Sequence, residues 1–296
     1  MNLLKLQNKT VIITGGASGI GKAAAILLAS QGANIVIADL DNEGGSQLEH
    51  QLQSSGTKAL FHKTDVSDSN QVTELVEITL STFTTIDILV NCAGVSGLSA
   101  YNDLIEEEWD WTLNVNLKGT HLLCNAVSKV MIEGGIKGRI VNISSINDQI
   151  PVAGITAYAT SKAAISGLSR SLALELAPYG INVNTIRPGA INTPMMKEIL
   201  ELPSLAKEIL KQIPRGRIGK PEDVAKVILF LVSDLAEWVT GAEIPVAGGM
   251  HLVGETSYLY YFEKEMQHED KLPDIPFTRP WKNYNLLDFV NGQDEE

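Results

Sequence analysis

Cysteine is scarce in this chain of 296 residues, which contains only Cys92 and Cys124. Cys92 ends an apolar run and Cys124 lies in a helical pattern, so we expect two buried, reduced thiols and no disulfide. Neither the cysteines nor the scattered histidines have the spacing of a zinc-ligand set, so the sequence predicts no metal site.

Long hydrophobic runs and an excess of positive charge are also missing. No segment is apolar enough to span a bilayer, and residues 1–9 lack the hydrophobic run of a secretory signal. The formal net charge of −12 disfavours nucleic acid and anionic membranes as partners. The hydrophobic content of 44% suffices for one large α/β domain. We therefore expect a cytoplasmic protein with neither kind of partner.

Glycine is concentrated near the start of the chain, between a β-branched run at 11–13 and an alanine-rich helical pattern. Gly15, Gly16, Gly19 and Gly21 fall in this strand-to-helix turn, where residues without side chains let backbone amides approach a pyrophosphate. A second strand at 34–38 ends in Asp39, at the distance where an acid accepts hydrogen bonds from an adenosine ribose. The turn therefore predicts a dinucleotide site, although packing alone could also require the glycines and Asp39 could merely end the strand.

The residues around Asp39 indicate which dinucleotide is bound. Leu40 is neutral, Asp41 adds negative charge, and Ser18 supplies no cation, so nothing local would attract the 2′-phosphate of NADP. The sequence favours NAD.

Strand and helix patterns alternate along the rest of the chain. Further strands are predicted at 58–63, 86–91, 139–143, 181–186 and 243–246. Single helices are predicted at 67–83, 157–177 and 222–232, and more than one helix within 106–131. This alternation predicts an α/β fold, a doubly wound parallel sheet of the Rossmann type, over residues 1–250. Asn91, Ser145 and Pro188 fall at or just past strand ends, where one cleft can collect them.

Tyr158 and Lys162 are four residues apart in a predicted helix and share one face. The lysine ammonium is expected to lower the phenol pKa from its usual value of about 10, which would make Tyr158 a base. In an arbitrary helix such a pair usually lies on the surface, but the glycine turn and Ser145 favour a catalytic role.

From about residue 9 to 250 the chain resembles the single-domain branch of the short-chain dehydrogenase/reductase family. Residues 14–21 resemble its cofactor turn, Asp65-Val66 its adenine-contacting pair, and 91–94 its Asn-Asn-Ala-Gly segment, with Cys92 in place of the second asparagine. Pro188-Gly189 followed by Thr193 resembles the segment that clasps the nicotinamide. Cofactor contacts implied by the resemblance are Gly15, Ser18, Gly19, Ile20, Asp39, Asp65, Val66, Asn91, Ala93, Gly94, Tyr158, Lys162, Pro188, Gly189, Ile191 and Thr193.

Asn116, Ser145, Tyr158 and Lys162 resemble the family's catalytic tetrad. The resemblance implies that Tyr158 exchanges a proton with an alcohol or ketone, that Ser145 holds the substrate oxygen, and that Lys162 also binds the nicotinamide ribose. Asn116 would bend its helix and hold a water molecule, although a purely local bend is also open. Thr193 could equally be a simple N-cap before Pro194. A homotetramer is implied as well.

The substrate is less clearly indicated. Asn147, Asp148 and Gln149 follow Ser145 and would suit a small polar alcohol or ketone, such as a polyol, sugar or hydroxy acid, unless they simply face water. Met195 and Met196, ahead of a predicted lid helix at 197–212, suit an apolar body. Two alternatives stay open: a carbonyl reductase acting on an apolar substrate, and a regulatory protein that binds NAD without turnover.

Residues 251–296 form an extension beyond the expected end of the fold. They are rich in aromatic residues, and from Glu255 onward ten acids and four bases give a formal charge of −6. We expect a helix at 256–267, with the remainder packed over a neighbouring subunit, over an active-site rim or on its own domain.

Overall fold

The computed structural model of the protein describes residues 4–252. The predictions for the acidic, aromatic extension, including the helix at 256–267, lie outside this range.

Short apolar segments rich in β-branched residues form the strands, as the alternation predicts. Within the described residues they make one seven-stranded parallel sheet in the order β3-β2-β1-β4-β5-β6-β7, and the predicted doubly wound fold is confirmed. The strands are β1 Thr10–Thr14, β2 Asn34–Asp39, β3 Ala59–Lys63, β4 Ile88–Asn91, β5 Arg139–Ile143, β6 Asn182–Pro188 and β7 Glu243–Val246. The order reverses between β1 and β4, where folds of this kind bind ligands.

Helices cover both faces of the sheet. They are α1 Gly19–Ser30, α2 Asn42–Ser54, α3 Ser69–Phe83, α4 Glu106–Leu113, α5 Gly119–Glu133, α6 Thr156–Leu176, α7 Lys197–Leu200, α8 Pro203–Lys211 and α9 Pro221–Val232. Alternate residues of β1 serve the two faces: Val11 and Ile13 pack with α1, α2 and α9, whereas Ile12 packs with α3, α5 and α6. No helix among residues 4–252 is long and apolar enough to cross a membrane.

The sequence patterns missed α2, whose composition is polar and includes two adjacent glycines. Asp41 begins this helix because its carboxylate accepts a hydrogen bond from the Gly44 amide at 3.0 Å. Leu48 and Leu52 are buried on its inner face. Capping and two buried leucines therefore outweigh a weak helix propensity.

The prediction of one lid helix over 197–212 is wrong, because the segment divides into α7 and α8. Pro203 is the first residue of α8, and a residue before proline is disfavoured in the helical region. Leu202 accordingly has extended backbone angles, with φ −91° and ψ 103°.

The region at 106–131, where helices were predicted, contains α4 and α5. Between α4 and α5 the chain forms a π-helical turn over Asn114–Lys118. Such turns are rare and are found mostly at functional sites. This one contains Asn116 and lies where the sequence predicts a bend.

Candidate active site

The glycine turn packs closely against the end of β4. Gly15 has φ +61°, and a Cβ added there would lie 2.8 Å from the Ala93 nitrogen. A Cβ on Gly21 would lie 2.2 Å from the Gly15 carbonyl oxygen. Larger residues are therefore excluded at both positions, and the amide-lined start of α1 stays open to an anion. Ser18 is exposed at the N-cap position of α1 and makes no capping bond, and Ile20 packs against the core.

The Asp39 carboxylate lies directly beside the glycine turn. One oxygen accepts a hydrogen bond from the Ala17 amide at 2.9 Å, and the other accepts from the Asp41 amide at 3.0 Å. Within residues 4–252 no lysine, arginine or histidine forms an ion pair with Asp39. The acid is therefore fixed in place with its negative charge uncompensated.

The predicted adenine-contacting pair follows β3. Asp65 accepts hydrogen bonds from the amide and hydroxyl of Ser67, at 2.9 and 2.7 Å. Val66 is buried and packs on Gly119, where an added Cβ would approach a Val66 methyl to 2.7 Å. The Val66 side chain thus packs between the carboxyl end of β3 and the start of α5.

Asn91 turns its side chain into the protein. Its amide nitrogen donates to Asn142 at 2.8 Å and to the Cys124 sulfur at 3.4 Å. Both cysteines are free, and burial raises the pKa of each thiol to about 12, so both stay protonated at neutral pH. The next residues face the site: the Ala93 amide donates to the Thr14 hydroxyl at 3.1 Å, and a Cβ on Gly94 would lie 3.3 Å from the Lys162 Nζ.

Asn116 is fully buried and connects two segments of the site. Its side-chain oxygen accepts from the Val95 amide at 2.8 Å, and its nitrogen donates to the Val95 carbonyl and the Ser161 hydroxyl, each at 2.9 Å. Ser161 lies on α6 between Tyr158 and Lys162. Asn116 is therefore more than a local bend, because it holds the segment after β4 against α6.

Ser145, Tyr158 and Lys162 come together at the start of α6. Ser145 is buried, and its hydroxyl accepts a hydrogen bond from the Asn147 amide and donates to the Asn147 side-chain oxygen, each at 3.1 Å. The hydroxyl is also near enough to the Tyr158 phenol to lower the phenol pKa. The Lys162 Nζ lies 5.5 Å from the centre of the Tyr158 ring and donates to the Ile143 carbonyl at 2.9 Å. The tyrosine and lysine predicted to share a face do so.

The expected lowering of the tyrosine pKa is not seen in the protein alone. Burial raises the pKa of Tyr158, the Ser145 hydrogen bond opposes this change, and the Asp148 carboxylate adds to it. Burial also lowers the pKa of Lys162 to about 8. Desolvation dominates because the ammonium is directed to the Ile143 carbonyl and not to the phenol oxygen.

The segment after β6 closes the other side of the site. Gly189 packs so closely on Ala247 that an added Cβ would lie 2.8 Å from the Ala247 Cβ, and its amide extends the pairing of Pro188 with β7. Ile191 is buried. Thr193 occupies the N-cap position of a short 3₁₀ turn without a capping hydrogen bond, and its methyl would be 3.3 Å from a Cβ on Gly19. Thr193 thus faces the glycine turn.

These residues fit a nicotinamide dinucleotide. The glycine turn and Asp39 offer amides and a carboxylate at the β1 and β2 ends, and Lys162 lies beyond Gly94 at the β4 end. Asp65-Val66 and Pro188-Gly189 lie at the carboxyl ends of β3 and β6, on either side of these groups, because all seven strands are parallel and end on the same side of the sheet.

Comparison with known proteins identifies the family. A family model described as enoyl-(acyl carrier protein) reductase matches residues 15–251. The chain belongs to the short-chain dehydrogenase/reductase family. A dehydrogenase subunit from Thauera aromatica, which acts on (2S)-[(R)-hydroxy(phenyl)methyl]succinyl-CoA, is 41% identical over 83% of this chain and 98% of its own length. Cyclopentanol dehydrogenase from Comamonas testosteroni is 38% identical over 83% and 98%. The crystal structure of levodione reductase superposes with a TM-score of 0.81 at 32% identity, over 84% and 100% of the two chains.

Membership of the short-chain dehydrogenase/reductase family makes this protein an oxidoreductase that uses a nicotinamide cofactor. Hydride transfer between a secondary alcohol and a ketone accords with the relatives named above.

In this short-chain dehydrogenase/reductase, sequence patterns missed one part of the site, a buried ion pair between Asp148 and Arg187. Asp148 was expected either to suit a polar substrate or to face water, but its side chain is 1% exposed and is paired with the Arg187 guanidinium at 2.5 Å. Asn147 is also engaged, with Ser145 and with the Ile150 carbonyl at 3.2 Å. Only an arginine before Pro188 and an acid after Ser145 hinted at the pair.

Proposed function

We propose that the protein oxidises a secondary alcohol with NAD⁺, or reduces the matching ketone with NADH, and that the substrate has a mainly apolar body. The observation that carries the proposal is the cluster of Ser145, Tyr158 and Lys162, which lies at the carboxyl ends of the strands, as do the glycine turn and Asp39. A proton-exchanging group and a dinucleotide site then share one cleft.

The preference for NAD rests on Asp39. Its carboxylate is held by two backbone amides beside the glycine turn, in position to accept hydrogen bonds from a ribose diol. A 2′-phosphate at that position would meet an uncompensated negative charge. The next two residues are Leu40 and Asp41, so the end of β2 offers no arginine to bind the phosphate.

Each residue of the tetrad has a role that its contacts support. Tyr158 takes the hydroxyl proton of the alcohol in oxidation and returns it to the carbonyl oxygen in reduction. Ser145, whose hydroxyl lowers the pKa of the phenol, holds the same substrate oxygen. Lys162 supplies a nearby positive charge, since a pKa of about 8 leaves it protonated at neutral pH. Bound NAD⁺ supplies the hydride acceptor and a further positive charge.

Asn116 holds the segment after β4 and helix α6, which carries Tyr158 and Lys162, in fixed relative positions. Its side chain bonds Val95 and Ser161, and we propose that the π-helical turn around it serves the proton path from Lys162 to solvent. An intact set of Asn116, Ser145, Tyr158 and Lys162 disfavours a regulatory protein without turnover.

The rim of the cleft favours the apolar substrate. Of the three polar residues after Ser145, Asp148 and Asn147 are engaged within the protein, which leaves Gln149. Leu98, Val152 and Met195 are 74%, 49% and 46% exposed, and the Leu98 and Val152 segments adjoin, because the Ser99 amide donates to the Gly154 carbonyl at 2.9 Å. Exposed apolar side chains on adjoining loops suit an apolar ligand.

The test is a screen of NAD⁺ and NADP⁺, each with cyclic and branched secondary alcohols, polyols, sugars and hydroxy acids, followed by the absorbance of the reduced cofactor. We expect NAD⁺ reduction with cyclic or branched alcohols and little with polyols. Reduction of NADP⁺ alone would contradict the role of Asp39, and turnover confined to polyols would contradict the apolar pocket. Light scattering of the same samples would test the predicted homotetramer.

A further inference from the structure

The buried ion pair of Asp148 and Arg187 joins three parts of the site. Asp148 ends the 3₁₀ turn that begins at Ser145, Arg187 lies on β6 directly before Pro188-Gly189, and α6 carries Tyr158 and Lys162. The ion pair and its neighbours are therefore the point at which these three elements meet.

Both oxygens of the Asp148 carboxylate accept hydrogen bonds from neighbouring side chains. One oxygen receives the Arg187 Nε at 2.8 Å and a guanidinium nitrogen at 2.5 Å. The other receives the Ser166 hydroxyl at 2.7 Å, and the Ser144 hydroxyl oxygen lies 3.3 Å from it. Ser166 lies on α6 and therefore connects the carboxylate to that helix. Ser144, beside the carboxylate, donates its hydroxyl to the Lys162 carbonyl at 2.9 Å, near the catalytic lysine.

Every member of this network is buried. The side chains of Asp148 and Arg187 are 1% and 8% exposed, and Ser144 and Ser166 are buried as well. A buried ion pair costs much of its attraction in desolvation, and apolar replacement is often equally stable. Such a pair is thus a poor device for stability alone and a good one for fixing orientation.

We infer that Asp148 is a positioning residue of this enzyme, which holds Ser145 and the start of α6 in the arrangement that proton transfer requires. Arg187 supplies its counter-charge and ties the arrangement to Pro188-Gly189. The inference rests on the proposed function, because it assigns the proton transfer to Tyr158.

A second consequence concerns the pH at which Tyr158 ionises. The titratable or charged groups facing it are Lys162 on its own helix, Asp148 in the turn after β5, Arg187 on β6 through Asp148, and Cys92 after β4 through Lys162. Burial raises the pKa of Tyr158, and the negative charge of Asp148 raises it further. Removing that charge leaves the Arg187 cation unpaired, and both changes lower the pKa of Tyr158.

The experiment compares Asp148→Asn with wild type by two readouts. The first is ¹⁹F NMR of protein labelled with 3-fluorotyrosine, with the Tyr158 signal assigned by its loss in Tyr158→Phe; it needs no substrate. The second is kcat with NAD⁺ and a secondary alcohol found in the screen. We expect the Tyr158 titration to move to lower pH and kcat to fall at least about tenfold, while NAD⁺ affinity stays within about threefold.

Asp223→Asn is the matched control, since Asp223 is paired with Arg217 at an exposed site, at 2.7 Å. It should leave both the Tyr158 titration and kcat unchanged. An unmoved Tyr158 titration in Asp148→Asn would overturn the inference. If no alcohol is turned over, the proposed function fails and the titration alone still decides the role of Asp148.

A double variant separates positioning from stability. Asp148→Asn with Arg187→Met buries no unpaired charge, so its melting temperature should return toward that of wild type. We expect kcat to stay low, and recovery of kcat to within about twofold would show a purely structural pair and overturn the inference. Should Asp148→Asn not fold, Ser166→Ala removes one donor only; a several-fold loss of kcat supports the inference and an unchanged kcat contradicts it.

Discussion

The two halves of the cleft are built over different distances along the chain. In the cofactor half, Asp39 bonds Ala17, 22 residues away, and the glycine turn follows β1 directly. In the half that carries Tyr158, Asn116 bonds Ser161 across 45 residues and Arg187 bonds Asp148 across 39. The first half is centred on one strand-turn-helix unit that packs on Ala93, and the second depends on side chains from several elements meeting correctly.

This difference separates backbone chemistry from side-chain chemistry. The cofactor half uses glycines and amides, whose positions follow from one strand-turn-helix unit. The other half uses buried polar side chains, each of which must find its partner on another element. We therefore expect changes in the first half to act on binding and changes in the second to act on turnover.

The largest effect should come from Tyr158→Phe, which removes the proton-exchanging hydroxyl and little else. We expect kcat to fall by about 10³-fold or more, because no neighbouring group can replace it, with NAD⁺ affinity unchanged. Stopped-flow turnover and calorimetric titration of NAD⁺ measure the two quantities. Equal activity of the variant would refute the assignment, and lost NAD⁺ affinity would break the division between the halves.

Gly15→Ala should show the opposite pattern. The residue has φ +61° and its new methyl would lie 2.8 Å from the Ala93 nitrogen, so we expect a loss of about 2–4 kcal/mol in the free energy of unfolding and of about tenfold or more in NAD⁺ affinity. Gly56→Ala is the control, with φ +88° and no atom within 4 Å; it should cost only about 1 kcal/mol and no affinity. Denaturant titration and NAD⁺ binding compare the two, and equal losses would refute the role of close packing at Gly15.

The same contrast explains what the sequence could predict. The sheet, the glycine turn and the tetrad follow from periodicity, glycine spacing and family motifs, which are all local in the chain. For Asp148 the sequence left two places open, the substrate pocket and the water-facing surface of the loop, because a polar residue in a loop is normally accessible; the buried ion pair is neither. Its partner, Arg187, lies on another strand, and no local pattern reveals which acid a buried arginine meets.

Burial also accounts for the expectation about Tyr158. Spacing shows that Lys162 shares its face, but the direction of the pKa change depends on how far each group is desolvated and on the Ile143 carbonyl that Lys162 reaches. Helix α2 was missed for a related reason, since an Asp41 cap and two buried leucines depend on packing against the sheet. Neither the desolvation of a side chain nor the packing of a helix on the sheet can be read from amino-acid composition.

Asp39→Ser tests whether the Asp39 carboxylate determines the preference of the cofactor half for NAD⁺ over NADP⁺. Removing the carboxylate eliminates the ribose acceptor and the repulsion of a 2′-phosphate, so the preference for NAD⁺ over NADP⁺ should fall by about 10–100-fold, or about 1–3 kcal/mol. Dissociation constants for the two cofactors give the ratio. Asp68→Ser, which changes the half-buried cap of α3, should leave the ratio unaltered, and the assignment of Asp39 is refuted if both variants behave alike.

For Lys162→Met we expect a smaller change in the free energy of unfolding than for Gly15→Ala, and the sign of that change is informative. Burial lowers the pKa of Lys162 from 10.5 to about 8, so at pH 7 the folded state holds a charge that it disfavours by about 3 kcal/mol. Losing the bond to the Ile143 carbonyl offsets about 1–2 kcal/mol of this.

The variant should therefore be more stable than wild type at pH 7 by about 1–2 kcal/mol while losing nearly all turnover. Between pH 8 and 10.5 the unfolded wild-type chain binds a proton at Lys162 that the folded chain has lost, so wild-type stability rises with pH and the advantage of the variant shrinks. Urea titrations at pH 7 and 9.5 measure both quantities. A variant that is less stable at pH 7 would mean that Lys162 is held for folding, whereas a gain means that this half of the site gives up stability to keep a charge beside Tyr158.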